Sequence, residues 1–363
     1  MTMFPKTFLR SLLVLALLAG PALAVPAGNS GTPTALAPLP GDANSQGISI
    51  NKGGDVVGNS IGATTTGVVW DRHGNTTMLL PLGTDVDSFA QGINARGDAV
   101  GYSRSGAPPC GAGDTAVQWT RHGASIPLQP LPGDTEARAF AINNNGIVAG
   151  ISLSPRRADC TAAFTAVRWD RHGNPTALTS PSATLPEGFA NDITEDGAVS
   201  GFVNDAAGTQ FAAVTWDRNN VPTPLPAGFP SPLYAAFGLN TSGVVIGPAL
   251  DGAFASSALM WDGNGGPPSM LPPLGGDAEA YAISINNSGE VAGVSGVLLF
   301  AAIFGIFDPP ATAVVWDKHG APTALSPLPG DAYSYAGGMN EAGEVAGFSH
   351  NPGTDTDTAV VWR

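Results

Sequence analysis

The chain has 363 residues, 43% of them hydrophobic and only 12% charged, with 48 Gly, 32 Pro and a net charge of −14. An acidic protein repels nucleic acid and anionic membrane surfaces, so neither is an expected partner. Scarce charge, frequent Gly and Pro and the absence of helical periodicity argue for short strands and tight turns.

At the N-terminus, Lys6 and Arg10 precede an apolar run from Ser11 to Gly20, and Ala22-Leu23-Ala24 supplies a small-x-small cleavage site. Residues 1–24 read as a secretory signal peptide, because the run falls short of the roughly 20 residues a spanning helix needs. Cleavage would remove two basic residues and no acids, taking the net charge to −16. The protein is therefore expected outside the cytoplasm, periplasmic or secreted, with 25–32 as a short linker and no transmembrane span.

Residues 33–40 (PTALAPLP) match 322–329 (PTALSPLP), the last part of a repeated unit. The unit recurs seven times, each copy marked by one tryptophan: Trp70, Trp119, Trp169, Trp216, Trp261, Trp316 and Trp362, at gaps of 49, 50, 47, 45, 55 and 46 residues. A β-rich period of roughly 40–50 residues is the signature of propeller blades. In the clearest copy, strand a is expected at 280–286, strand b from Glu290 through Gly293, strand c at 312–317 and strand d at 322–328. The chain begins with an orphan d and ends at Arg363, just after a c. The predicted fold is all-β: a seven-bladed propeller of four-stranded antiparallel blades over 33–363, closed by strand 33–40 joining the last blade.

Each part of the unit has an expected task. The a–b turn is Asn-x-x-Gly in six copies (Asn51, Asn94, Asn143, Asn240, Asn286, Asn340) and begins with Thr194 in the fourth. This is turn chemistry rather than a set of amide ligands. The c–d turn is Asp-Arg-His-Gly or a relative. One His per hairpin tip (His73, His172, His319) keeps imidazoles too far apart to share a metal. The tryptophan is expected to fill the gap between successive sheets, burying on the order of 150–250 Å² per ring, in preference to stacking on sugars.

The d–a loop ends in equivalent acids, Asp42, Asp134, Asp277 and Asp331, with Asp85 nearby in copy two and Glu187 as a substitute in copy four. Up-and-down order places these loops and the b–c loops on one face. Arg72, Arg121, Arg171, Arg218 and Lys318 gather on the other. An acidic channel mouth could focus a cation, Ca²⁺ or a basic ligand, although each Asp could equally cap its own turn. The only cysteines, Cys110 and Cys160, each lie nine residues before a strand-c tryptophan, and in an oxidising compartment they read as a disulfide linking blades two and three. Copy six carries an insertion with the apolar run 297–307, including Phe300, Phe304 and Phe307. It is expected on the acidic face, either as a partner patch or packed over the channel.

The chain resembles the secreted HAF-repeat proteins, whose pattern L-G-G…S-x-A-x-x-I-N-x-x-G-x-V-x-G…A-F-x-W appears here as LGGDAEAYAISINNSGEVAG (274–293) and SFAQGINARGDAVG (88–101). The eponymous His-Ala-Phe is replaced by Thr-Ala-Val at 115–117, 165–167, 312–314 and 358–360. The resemblance implies an extracellular or periplasmic repeat protein and no established chemistry. The function expected is that of a monomeric binding or scaffolding propeller for a protein, glycan or small molecule. It would act through the acidic face (Asp42, Asp85, Asp134, Asp277, Asp331, His350) and the 297–307 loop. The alternative is a lyase or hydrolase in the channel mouth. It would draw on His350, the one His outside the c–d turns, beside Asp331 and the Asp355/Asp357 pair.

Overall fold

The computed structural model describes residues 31–107, 112–157, 160–229, 231, 233–251, 255–296 and 310–363. They form seven antiparallel sheets, each with the order a-b-c-d, arranged as a seven-bladed propeller. In the sixth blade the strands are Glu279–Ile285, Val291–Gly296, Ala311–Trp316 and Pro322–Leu325, within a few residues of the sequence expectation. Only the fifth blade departs: its strand a is split into Leu233–Tyr234 and Gly238–Leu239, both paired with Val245–Leu250. Among the described residues no helix is long and apolar enough to cross a membrane. The signal peptide and most of the linker lie outside the described residues.

The ring closes as the offset repeat requires. Pro33–Leu36 pairs antiparallel with strand c of the last blade, Pro33 opposite Trp362 and Leu36 opposite Ala359. Only the first half of the expected 33–40 segment is strand, because the chain turns at Leu39, whose carbonyl accepts the Asp42 N–H at 3.0 Å. Closure also ties blade seven to blade one through side chains: the Ala359 N–H donates to Ser45 Oγ, and Gln46 Nε2 donates to Asp357.

Strand b shows what holds neighbouring sheets together. Val148–Leu153 is buried at every position, because both of its faces lie between blades. Each tryptophan closes such an interface. Trp169 packs with Ala137, Ala139 and Ile142 of its own blade and with Val100, Ala116 and Leu128 of the preceding one. All seven rings are 2% exposed or less, which rules out sugar stacking. The tryptophans are more than filler. Every indole N–H donates to a backbone carbonyl just past the preceding strand d: Ala37, Leu80, Gln129, Thr179, Pro226, Pro272 and Ser326, at 2.6–2.9 Å. A buried carbonyl left unpaired would cost about 1–3 kcal/mol.

The a–b turns form a second belt. Each Asn Oδ1 accepts backbone N–H groups two and four residues ahead, as at Asn51 from Gly53 and Asp55. Its Nδ2 donates to the equivalent carbonyl of the next blade: Asn51 to Asn94, Asn94 to Asn143, Asn143 to Thr194, Asn240 to Asn286, Asn286 to Asn340, and Asn340 back to Asn51. The one missing link starts at Thr194, whose hydroxyl bonds within its own turn instead.

The innermost strands line an axial channel, and each regular one carries a β-bulge. The register slips between Gly47 and Ser49, and at the equivalent places in blades two, three, four, six and seven. The extra residue, Ile48, Gln91, Phe140, Asn191, Ile283 or Gly337, is turned towards the channel. The bulge drives a strand-a carbonyl against strand b, where all seven blades carry glycine. A Cβ built on Gly58, Gly101, Gly150, Gly201, Gly247, Gly293 or Gly347 would sit 1.9–2.1 Å from that oxygen. Gly150→Ala should therefore cost about 2–4 kcal/mol in urea unfolding. Gly275→Ala, with open space around the position, should change it by less than about 0.5 kcal/mol.

Candidate functional site

The loop acids sit where the repeat put them, each in its own loop with its own partner. Ser60 Oγ–H donates to Asp42 at 2.7 Å, and the same bond joins Ser103 to Asp85, Ser152 to Asp134, Ser295 to Asp277 and Ser349 to Asp331 at 2.6–2.7 Å. Each serine oxygen in turn accepts the N–H of the loop leucine, as Ser60 Oγ does from Leu39 at 2.8 Å. Register places Val203 and Ala249 at the serine position of blades four and five. Neither of those blades has the loop Asp. Acid and serine occur together or not at all, the pattern expected of a loop clasp. Glu187 does not substitute for the Asp. It opens strand a, where Asn204 Nδ2 donates to it at 3.2 Å. Among the described residues no three His, Cys, Asp or Glu side chains are grouped so as to hold a metal ion.

The loop face is also less uniformly acidic than expected. Asp114 is buried between Arg104 and Arg138, with both guanidinium Nε atoms 2.7 Å from its carboxylate. Burial is the largest single influence and pushes its carboxyl up, but the two cations together outweigh it and hold the carboxyl below the usual range. Arg104 lies over the Phe89 ring at 4.8 Å, and Arg138 over Tyr102 at 5.0 Å.

His350 pairs with Asp357, not Asp331: Nδ1 is 2.8 Å from Asp357 Oδ1, and the imidazole is 1% exposed. Its Nε2 is buried with no hydrogen-bond partner among the described residues, so no nucleophile completes a triad there. Cys160 adopts φ 63°, and its carbonyl accepts from Arg156 Nη1. Cys110, and Phe300, Phe304 and Phe307 of the 297–307 run, lie outside the described residues.

What the fold brings together is the channel. A cavity of about 280 Å³ runs along the axis, lined by the bulge residues, their neighbours and Phe237. Its polar side chains, Ser49, Gln91, Asn191, Asp192 and Ser284, are interspersed around the ring with Phe140, Phe189, Phe237 and Ile283. Asn191 Nδ2 donates to the Ala236 carbonyl, and Asp192 accepts the N–H groups of Ile193 at 2.8 Å and Leu239 at 3.2 Å. Both residues thus brace the broken strand of blade five. Burial pushes the Asp192 carboxyl up to about 6, only partly offset by these two N–H groups. The three Phe rings belong to successive blades, and Phe140 stacks on Phe189 with centroids 4.6 Å apart. The repeats carried the signal for this site. At the two positions ahead of the Ile, Leu or Met that precedes the turn, the copies read Ile-Ser, Gln-Gly, Phe-Ala, Asn-Asp, Phe-Gly, Ile-Ser and Gly-Gly. This is a variable pair in an otherwise fixed frame, and Asp192 is its only charge.

Among solved structures, virginiamycin B lyase from Staphylococcus aureus is similar over 92% of this chain and 98% of its own, with a TM-score of 0.51 at 11% identity. Puromycin hydrolase is similar over 88% of this chain and 54% of its own, with a TM-score of 0.53 at 12% identity. At such identities the likeness is one of fold. No family model matches the chain, and no curated protein does, so neither comparison bears on the HAF-repeat resemblance.

Asp192 makes stability depend on pH with a definite sign. Its folded carboxyl holds a proton more tightly than the unfolded chain does. The native state is therefore penalised as pH rises from about 4 through 6, by on the order of 2 kcal/mol above that window. The Tm of Asp192→Asn relative to the natural chain should be more favourable at pH 7.5 than at pH 4. A difference that does not vary with pH would contradict the raised carboxyl.

Proposed function

We propose that this is an extracytoplasmic binding propeller, not a catalyst, which takes a small amphipathic ligand into its axial channel from the loop face. The observation that carries the reading is the bulge ring: the variable bulge residues of the six regular blades line a single cavity, where Gln91, Asn191 and Asp192 lie among phenylalanine and isoleucine. Apolar walls with a few convergent polar groups are the usual make-up of a ligand pocket. The export reading rests on residues 1–24, and the Cys110–Cys160 disulfide belongs to the same proposal. No described cysteine is a free thiol, which supports it. The 297–307 run, with Phe300, Phe304 and Phe307, is proposed to contribute apolar surface at the mouth, where a protein or glycan could also dock. Ca²⁺ at Asp42, Asp85, Asp134, Asp277 or Asp331 would have to compete with the serine clasps. The enzyme alternative would need a nucleophile or activated water opposite His350 Nε2.

A thermal-shift screen of small molecules on the natural chain and on Gln91→Trp tests the channel. Ligands that raise the Tm of the natural chain by about 2–4 °C should leave the plugged variant unmoved. Ligands that shift both equally would place binding elsewhere.

A further inference from the structure

We propose that the channel takes a compact organic cation, a substituted ammonium group, held against the Phe140 and Phe237 rings with its charge at the Asp192 carboxylate. This rests on the channel reading above and names the ligand chemistry. Three rings from successive blades and one carboxylate line the same cavity, and no Lys, Arg or His is among its described lining residues. The carboxylate therefore lacks a counter-charge. Ring faces attract cations, by about 2 kcal/mol or more once both are out of water, and grouped rings beside an acid suit ammonium recognition. An anionic ligand would meet Asp192 at close range. A hard divalent metal wants six or more oxygen ligands, several of them anionic, which one carboxylate with two amides and two hydroxyls spread among apolar residues does not supply. The net charge of −14 favours cation entry.

The proton is the competing cation. Among the described residues no titratable side chain faces Asp192 from the strands packed around it: blade three presents Phe140, Ala141 and Ile142, blade five Phe237, Gly238 and Leu239, and strand b of its own blade Ser200 and Gly201. With that carboxyl pushed up to about 6, an ammonium ligand must displace its proton to bind, and acid should weaken binding.

Isothermal titration with choline and with its neutral isostere 3,3-dimethylbutan-1-ol tests this at pH 7.5 and pH 5. Choline should bind the full chain at pH 7.5, about tenfold more weakly at pH 5, and not to Gln91→Trp. The isostere should bind more weakly at both values without pH dependence, and Asp192→Asn should remove the preference for choline. Equal, pH-independent binding of both ligands that Gln91→Trp blocks would overturn the ammonium assignment and leave the channel reading standing. Binding untouched by Gln91→Trp would overturn the channel reading itself. No binding of choline at pH 7.5 would also overturn the ammonium assignment.

Discussion

The structure depends on pairing between the two ends of the chain. Every blade buries both of its faces, so an open stack of seven sheets would leave two faces bare, with a tryptophan interface at the gap. The pairing of Pro33–Leu36 with Ala359–Trp362 removes that gap. It sets Leu36 into the cluster around Trp70 and presents the Ala37 carbonyl to its indole. The asparagine belt then runs on from Asn340 to Asn51 as it does between other blades. The one place where the chain is discontinuous is thus built like its neighbours.

Within the closed ring the repeat fixes almost everything except two positions. Strand-b glycine admits the strand-a carbonyl, the carbonyl marks the bulge, and the bulge turns one residue towards the axis. Tryptophan, asparagine, glycine and the serine–aspartate clasps are committed to holding sheets and loops. The bulge pair is not, and there the copies diverge. A binding site on such a scaffold costs little stability where substitutions leave the frame intact. Asp192 is the exception, because it braces blade five while facing the channel.

The fold was legible in the sequence because its determinants recur at fixed spacing. Trp spacing, Asn-x-x-Gly turns and the duplicated PTAL segment specify blade number, strand order and closure. The site was less legible, for three physical reasons. A bulge shifts register by one residue, so strand alternation alone misplaces Gln91, Asn191 and Asp192. The prominent acids Asp42, Asp85, Asp134, Asp277 and Asp331 are bound by serines eighteen residues away, a pairing visible only when the copies are compared at both positions. The indole hydrogen bonds span 33–44 residues to carbonyls that carry no side-chain signature. Of the acids the sequence sets near His350, Asp331, Asp355 and Asp357, the one it pairs with is Asp357, opposite it across the strand pair.

Urea unfolding of a chain starting at residue 37, set beside one starting at residue 31, tests the closed ring most directly. Loss of the closing strand removes four paired residues and the buried Leu36 side chain. The account predicts a clearly lower midpoint, corresponding to about 3 kcal/mol or more. The same midpoint and slope for both chains would contradict it.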